Sequence, residues 1–179
     1  MSDGGSYRVR LATAADIPAM LEFQTPPGSE PQATADRLAH DFAVRVPADQ
    51  TFLVLAEVAE GVVAVARASW IERPFSGPDR IPTGWYLQGV RVAEGWRRLG
   101  IGRALTKRRL EWLDKRTDTV LYTTTAANRP SIALHRSFGF EQVATGVDAP
   151  AAPPRADRLL FRCQRRGFER PPPPPEILS

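Results

Sequence analysis

The 179-residue sequence predicts an α/β domain around one mixed sheet, on three observations. Strand-like and helix-like segments follow one another along the chain: strand, two helices, three strands, helix, strand, helix, two strands. A glycine-rich turn from Val92 to Gly102 joins a strand directly to a helix. The hydrophobic fraction of 42% over this length is ordinary for a single domain with a substantial core.

Tyr7 to Leu11 alternates as a strand, and Thr13-Ala-Ala-Asp16 reads as a capping box opening a helix through Ile17, Met20, Leu21 and Phe23. Pro26-Pro27-Gly28 stops it. A second helix runs from Thr34 to about Arg45, with Leu38 and Phe42 on one face and Pro47 beyond its end. Thr51 to Val58 and Val62 to Trp70 are rich in β-branched and apolar residues around Glu60-Gly61, which predicts a hairpin. Glu72 to Gly84, punctuated by Pro74, Gly77, Pro78 and Pro82, is a loop and a candidate lid. Trp85 to Val92 is a strand, and the helix after the turn runs from about Ile101 to Lys115. Its apolar stripe of Ile101, Ala104, Leu105 and Trp112 also carries Arg108. Val120 to Thr125 is the next strand. Asn128 caps the following helix, with Pro130 tolerated in its first turn, and Gly139 ends it. Phe140 to Thr145 is a strand, and a last strand spans Asp157 to Arg165 after an Ala/Pro-rich connection. Residues 1–166 therefore form the domain, and residues 167–179, with five consecutive prolines from Pro171, form an extended, solvent-exposed tail.

No apolar run reaches the length of a membrane span, and Met1-Ser-Asp-Gly-Gly has none of the regions of a signal peptide, so a cytoplasmic protein is expected. The single cysteine, Cys163, permits no internal disulfide, and with only His40 and His135 as histidines no metal site is expected. The net charge of +4 could suggest nucleic acid, but Lys107 and Lys115 are the only lysines, an arginine bias that a GC-rich genome produces by itself. The charge is also local. Residues 91–116 hold nine basic side chains against three acidic ones, which a ligand with several phosphates explains without the aromatic or helix-turn-helix signals of a nucleic-acid binder.

Within the turn, Gly100 and Gly102 let the backbone approach a ligand closely, and the helix that follows offers unpaired N–H groups and a positive dipole end. Arg97, Arg98 and Arg103 add charge. A dinucleotide fingerprint would need a third glycine where Leu105 stands and an acid where Thr123 to Thr125 stand, and the P-loop ending is absent. The spacing Arg97-x-x-Gly100-x-Gly102 resembles the acyl-CoA signature of the GNAT superfamily of N-acetyltransferases. Asn128-Arg-Pro-Ser131-Ile-Ala-Leu134-His135-Arg-Ser-Phe138-Gly139-Phe140 is similar to that superfamily's Asn-x-x-(small)-x-x-Leu-Tyr-x-x-x-Gly-Phe segment.

The resemblance implies a single GNAT-like domain: a mostly antiparallel mixed sheet of six or seven strands with about four helices, splayed at the strand before the glycine turn. It implies acetyl-CoA as acyl donor, bound by Val90, Arg91, Val92, Arg97, Arg98, Leu99, Gly100, Ile101, Gly102, Arg103, Asn128, Ser131 and His135. Direct transfer to a primary amine of a small molecule or peptide follows, with an N–H at Val92, or at Val90, polarising the thioester carbonyl. His135 stands where many relatives carry the tyrosine that protonates the leaving thiolate. Protonated imidazole could do the same, a packed histidine is the alternative, and Tyr86 and Tyr122 are reserve acids. No Asp or Glu occurs from Ile81 to Ala93, where several relatives place their base; Glu22, Glu72 and Asp79 remain, and none is assigned. Substrate determinants are expected on the first two helices and the Glu72 to Gly84 loop, with the aromatic set Phe23, Trp70, Phe75, Trp85 and Tyr86. Relatives also commonly dimerise, which makes the last strand a candidate contact. The competing reading is an acyl-CoA-binding sensor without turnover, motivated by His135 and the missing carboxylate.

Overall fold

The long hairpin organises the sheet. In the computed structural model, which describes residues 6–72, 81–147 and 156–165, β2 (Thr51–Val58) and β3 (Gly61–Ile71) pair through the turn expected at Glu60-Gly61. Phe52, Val54 and Ala56 point to one core cluster and Leu53 and Leu55 to another, so the strand period of two serves two buried faces. Both faces being covered explains the near-continuous apolar runs of these strands. The other elements are β1 (Arg8–Leu11), α1 (Ile17–Gln24), α2 (Pro31–His40), β4 (Gly84–Val92), α3 (Ile101–Leu113), β5 (Thr119–Thr125), α4 (Arg129–Arg136), β6 (Glu141–Thr145) and β7 (Arg158–Gln164). The seven strands lie in the order β1-β2-β3-β4-β5-β7-β6, antiparallel throughout except where β4 runs parallel to β5. This is the mixed, mostly antiparallel sheet with about four helices that the resemblance implied.

Several boundaries moved for identifiable reasons. Asp16 accepts from the Thr13 N–H at 2.7 Å, but a 3₁₀ turn precedes α1 proper. α2 starts at Pro31 rather than Thr34, because proline suits the first helical position, and beyond His40 it widens into a π turn around the buried Asp41, which meets Arg67 at 3.1 Å. On α3 the inward row is Ile101, Leu105, Arg109 and Leu113, four apart; Arg108 is exposed beside Glu111 and Arg109 enters the core. β7 lies between β5 and β6, so both its backbone edges are taken and it cannot offer a strand edge to a second copy. Among the described residues no helix is long and apolar enough to cross a membrane, and no group of three metal-ligating side chains occurs. Most of the candidate lid and the Pro-rich tail of residues 167–179 lie outside the described residues.

Candidate active site

The site is a consequence of one strand losing one neighbour. β4 pairs with β3 along its length but with β5 only at Trp85, Tyr86 and Leu87, so from Gln88 onward its β5-facing backbone is open. The β3–β4 register steps from Val65↔Arg91 to Arg67↔Gln88, which sets Gly89 and Val90 opposite the single residue Ala66. Gly89, at φ +53°, supplies the left-handed backbone that this bulge needs. The Ala93 N–H bonds Val63 O on β3 at 2.9 Å, so by strand alternation the peptide groups of Val92 turn the other way. Consistent with that, Val92 O accepts from Arg97 Nε at 3.1 Å, and the Val92 N–H faces the open side.

The glycine turn closes one end of this opening. Gly100 is the N-cap of α3 at φ +82°, and Arg98 is also left-handed at φ +66°, a departure that no residue type in the sequence announces. Left-handed residues so close together fold the chain tightly just ahead of the free N–H groups of the first helical turn, an arrangement suited to an anion. A Cβ at Gly102 would stand in ordinary contact, 3.6 Å from both Val90 Cγ1 and Leu134 Cδ2, which places the first turn of α3 against β4 and α4.

A groove of about 730 Å³ runs from this turn along β4, floored by Val90, Arg91 and Val92 and walled by Asn128, Ser131 and Leu134. Glu22 and Phe23 form its far rim, and Arg91 ties α1 to β4 by donating to Phe23 O at 2.6 Å. An inner cavity of about 220 Å³, lined by Arg109, Tyr122 and His135 among others, shares Val90, Arg91, Asn128 and Ser131 with the groove. Of the candidate residues, Arg97, Arg98 and Gly102 also line the groove, whereas His135 lines only the inner cavity. The others contribute differently: Leu99 is half exposed at the turn, Ile101 is buried in the core, and Arg103 turns towards α4 to bond Ser137 Oγ at 3.0 Å. Only Arg91, Arg97 and Arg98 of the nine local basic residues reach the groove, so the basic cluster serves it in part. Asn128 both lines the groove and caps α4, its Oδ1 accepting from the Ser131 N–H at 3.4 Å.

His135 is enclosed by its neighbours. Its ring stacks on Tyr122 with centroids 3.7 Å apart and 8° between planes, and it is 2% exposed. Nδ1 lies 2.8 Å from Ser131 O, and because a carbonyl only accepts, Nδ1 carries the proton and Nε2 is left as an acceptor without a partner among the described residues. Burial pulls its pKa down from 6.5 to about 4, opposed by the Ser131 bond and assisted by the Arg109 charge. At neutral pH the imidazole is neutral, which fits the packed-histidine alternative better than the protonated acid. Tyr122 shows the opposite tendency in the same cavity: burial raises its pKa, which keeps the phenol protonated, and its Oη shares a 2.5 Å hydrogen bond with Ser131 Oγ. Tyr86, the other reserve acid, is core: 1% exposed, with its hydroxyl donating to Pro82 O at 2.6 Å. Trp85 is core as well and packs edge-on against Trp70, so within the expected aromatic set Phe23 alone lines the groove, Phe75 lying outside the described residues. Arg109 escaped sequence reading because the helical stripe, placed one residue off, pointed Arg108 inward.

The model of the acetyltransferase (GNAT) family matches residues 17–140. The chain belongs to that family. No curated protein sequence matches it. Solved structures of GNAT-family enzymes share its fold. The ribosomal-protein-alanine N-acetyltransferase from Brucella melitensis is 27% identical, with 88% of this chain and 99% of that chain covered at a TM-score of 0.65. The ribosomal-protein-S5-alanine acetyltransferase from Vibrio fischeri is 14% identical, covering 92% and 96% at 0.69. The spermidine N-acetyltransferase from Vibrio cholerae, solved with CoA and spermine, is 14% identical, covering 89% and 95% at 0.65. In this GNAT-family acetyltransferase the groove, the left-handed turn and the open β4 edge suit an acyl-CoA: anion donors at one end, a run of free peptide groups beside them, and a cavity beyond.

Proposed function

We propose that this acetyltransferase moves the acetyl group of acetyl-CoA to a primary amine of a small molecule or peptide by direct attack, with donor and acceptor held together. The observation that carries the reading is the continuity of the groove: it runs from the left-handed turn before α3, along the open edge of β4, into the cavity beneath Ser131. When bound, acetyl-CoA supplies an activated thioester carbonyl. The chain's own groups divide the remaining work. The first N–H groups of α3, with Arg97 and Arg98, hold the diphosphate. The edge from Val90 to Val92 aligns the pantetheine between itself and Asn128 and Ser131. An N–H at Val92 or Val90 receives the negative charge that develops on the carbonyl oxygen, worth about 3 kcal/mol in the barrier. Tyr122, protonated and bonded to Ser131, which stands at the junction of groove and cavity, gives a proton to the departing sulfur, while the proton lost by the attacking amine passes to solvent, from which the phenol is restored; the acid contributes about 10² to 10⁴ in rate. Neutral His135 stacks on Tyr122 and holds its ring in place.

The acceptor enters past Phe23 and Glu22, the rim opposite the diphosphate end. Cys163 is no nucleophile in this scheme, being buried with its Sγ on Phe138 O at 3.4 Å. The Brucella relative, named for acetylating an alanine of a ribosomal protein, supports a peptide N-terminus as one acceptor. Isothermal titration with acetyl-CoA followed by a thiol-release assay on a panel of amines, an alanine-terminated peptide and spermidine included, tests the proposal. Saturable binding and turnover on at least one amine is expected. Binding without turnover on any of them overturns it in favour of a sensor of acyl-CoA.

A further inference from the structure

Among the described residues Arg109 is the largest fully buried side chain, 0% exposed, and no carboxylate pairs with it. Burying a cation without a counter-ion is costly, and neighbouring Leu105, Leu110 and Leu113 show that α3 could have filled the space with hydrocarbon. Packing alone does not account for a charge there. Its hydrogen bonds do. Nη1 donates to Arg67 O at 3.0 Å and to Gln88 O at 3.2 Å, and Nε donates to Leu105 O at 3.2 Å. Nη2 donates to Thr106 Oγ1 at 2.9 Å, and that hydroxyl in turn donates to Gly102 O at 2.8 Å.

Arg67 and Gln88 are the last paired residues before the register step, so their carbonyls flank the bulge at Gly89 and Val90. A bulge disrupts the ladder locally and leaves its extra residue, here within Gly89–Val90, unpaired, so the paired groups on either side set its geometry. One guanidinium nitrogen bonds both carbonyls from within the helix whose N-terminus faces the groove, bridging β3 and β4 beside the bulge. The planar fork, held at its other end by Thr106, cannot follow a rotation of either peptide without losing bonds. Burial lowers the Arg109 pKa to about 9, which leaves it cationic at neutral pH.

We propose that Arg109 is a positioning residue for acyl transfer: by clamping Arg67 O and Gln88 O it fixes the Gly89–Val90 bulge, and so the direction of the open peptide N–H groups of β4 towards the thioester carbonyl. The inference rests on the functional reading above, and it adds a structural coupling between the diphosphate end of α3 and the reacting end of β4. Glycine at position 89 makes such a clamp necessary, because the residue with the widest conformational freedom sits where direction matters most.

Two structural measurements, read beside kcat and acetyl-CoA affinity, on wild type, Arg109→Met and Arg109→Lys test it. The first is amide hydrogen exchange across residues 88–92 in the unliganded protein, with residues 52–56 of β2 as the internal standard. The second is isotope-edited infrared spectroscopy of bound, carbonyl-labelled acetyl-CoA, whose C=O stretch moves down when an N–H polarises it. In Arg109→Met, exchange at the bulge should rise about tenfold relative to β2. The downshift should disappear, and kcat should drop about a hundredfold, as for loss of one oxyanion donor. Acetyl-CoA affinity should stay within about threefold, because the diphosphate contacts remain. Arg109→Lys, which keeps the charge and one or two of the bonds, should recover part of the downshift. Should the methionine variant not fold, Thr106→Val releases Nη2 alone and should weaken the downshift partially. A residue that merely stabilises the fold would raise exchange in β2 and at the bulge alike and leave the stretch unmoved, and that result overturns the inference. If wild type binds no acetyl-CoA the functional reading fails, whereas wild-type binding with an unchanged stretch in all three variants removes the Arg109 clamp alone.

Discussion

Replacing His135 by phenylalanine should change how stability responds to acid, and the size of the change follows from the burial of one ring. In the folded protein the imidazole resists protonation down to about pH 4, while the unfolded chain takes a proton at its ordinary value of 6.5. The sign follows directly. Below pH 6.5 the unfolded state binds a proton that the folded state refuses, so the contribution of this site to stability is whole at higher pH and drains away as pH falls towards the folded value. Two and a half units at 1.36 kcal/mol each make the full loss about 3 kcal/mol, of which about 2 kcal/mol is gone by about pH 5. Asp16, held low first by its hydrogen bond to Arg10, and Glu57, held low first by Arg8, lose their own contributions below the usual carboxylate range and stay out of this window. Urea unfolding of wild type and His135→Phe at about pH 8 and about pH 5 reads the difference, because His40 is common to both. Wild type should lose about 2 kcal/mol more than the variant across that interval. Equal losses would mean that His135 takes a proton in the folded state as readily as in the unfolded one, which would restore the imidazolium as a candidate acid and refute the argument for Tyr122.

Tyr122→Phe keeps the ring that stacks on His135 but removes the hydroxyl bonded to Ser131, so kcat should fall by about 10² or more with little change in the acetyl-CoA KM; an unchanged kcat would remove the proton-donor assignment. Gly100→Val forces a β-branched residue to φ +82°, a strain of about 1–3 kcal/mol that the fold should survive by circular dichroism while acetyl-CoA affinity is lost by titration; retained affinity would exclude the turn as the diphosphate site. Asn128→Ala removes the cap on α4 and should lower stability by about 1 kcal/mol together with acetyl-CoA affinity, whereas a stability loss with unaltered affinity would leave Asn128 a cap and nothing more.

The sequence by itself determined the order and type of every strand and α-helix, the hairpin around Glu60-Gly61, the Asn128 cap and the position of the glycine turn. Those features depend on neighbours a few residues apart: strand alternation, helical spacing, a capping side chain, a glycine free to adopt positive φ. Tertiary structure alone decided that Arg109 rather than Arg108 turns inward, that three of nine nearby cations reach the groove, that β7 is an interior strand, and that His135 is neutral while Tyr122 stands beside it. Each of these is set by partners distant along the chain, as Arg67 O is for Arg109 at a separation of 42 residues. A side chain's charge state and direction are settled by how much water and which dipoles surround it, and that surrounding exists only once β3, β4 and α3 have packed together.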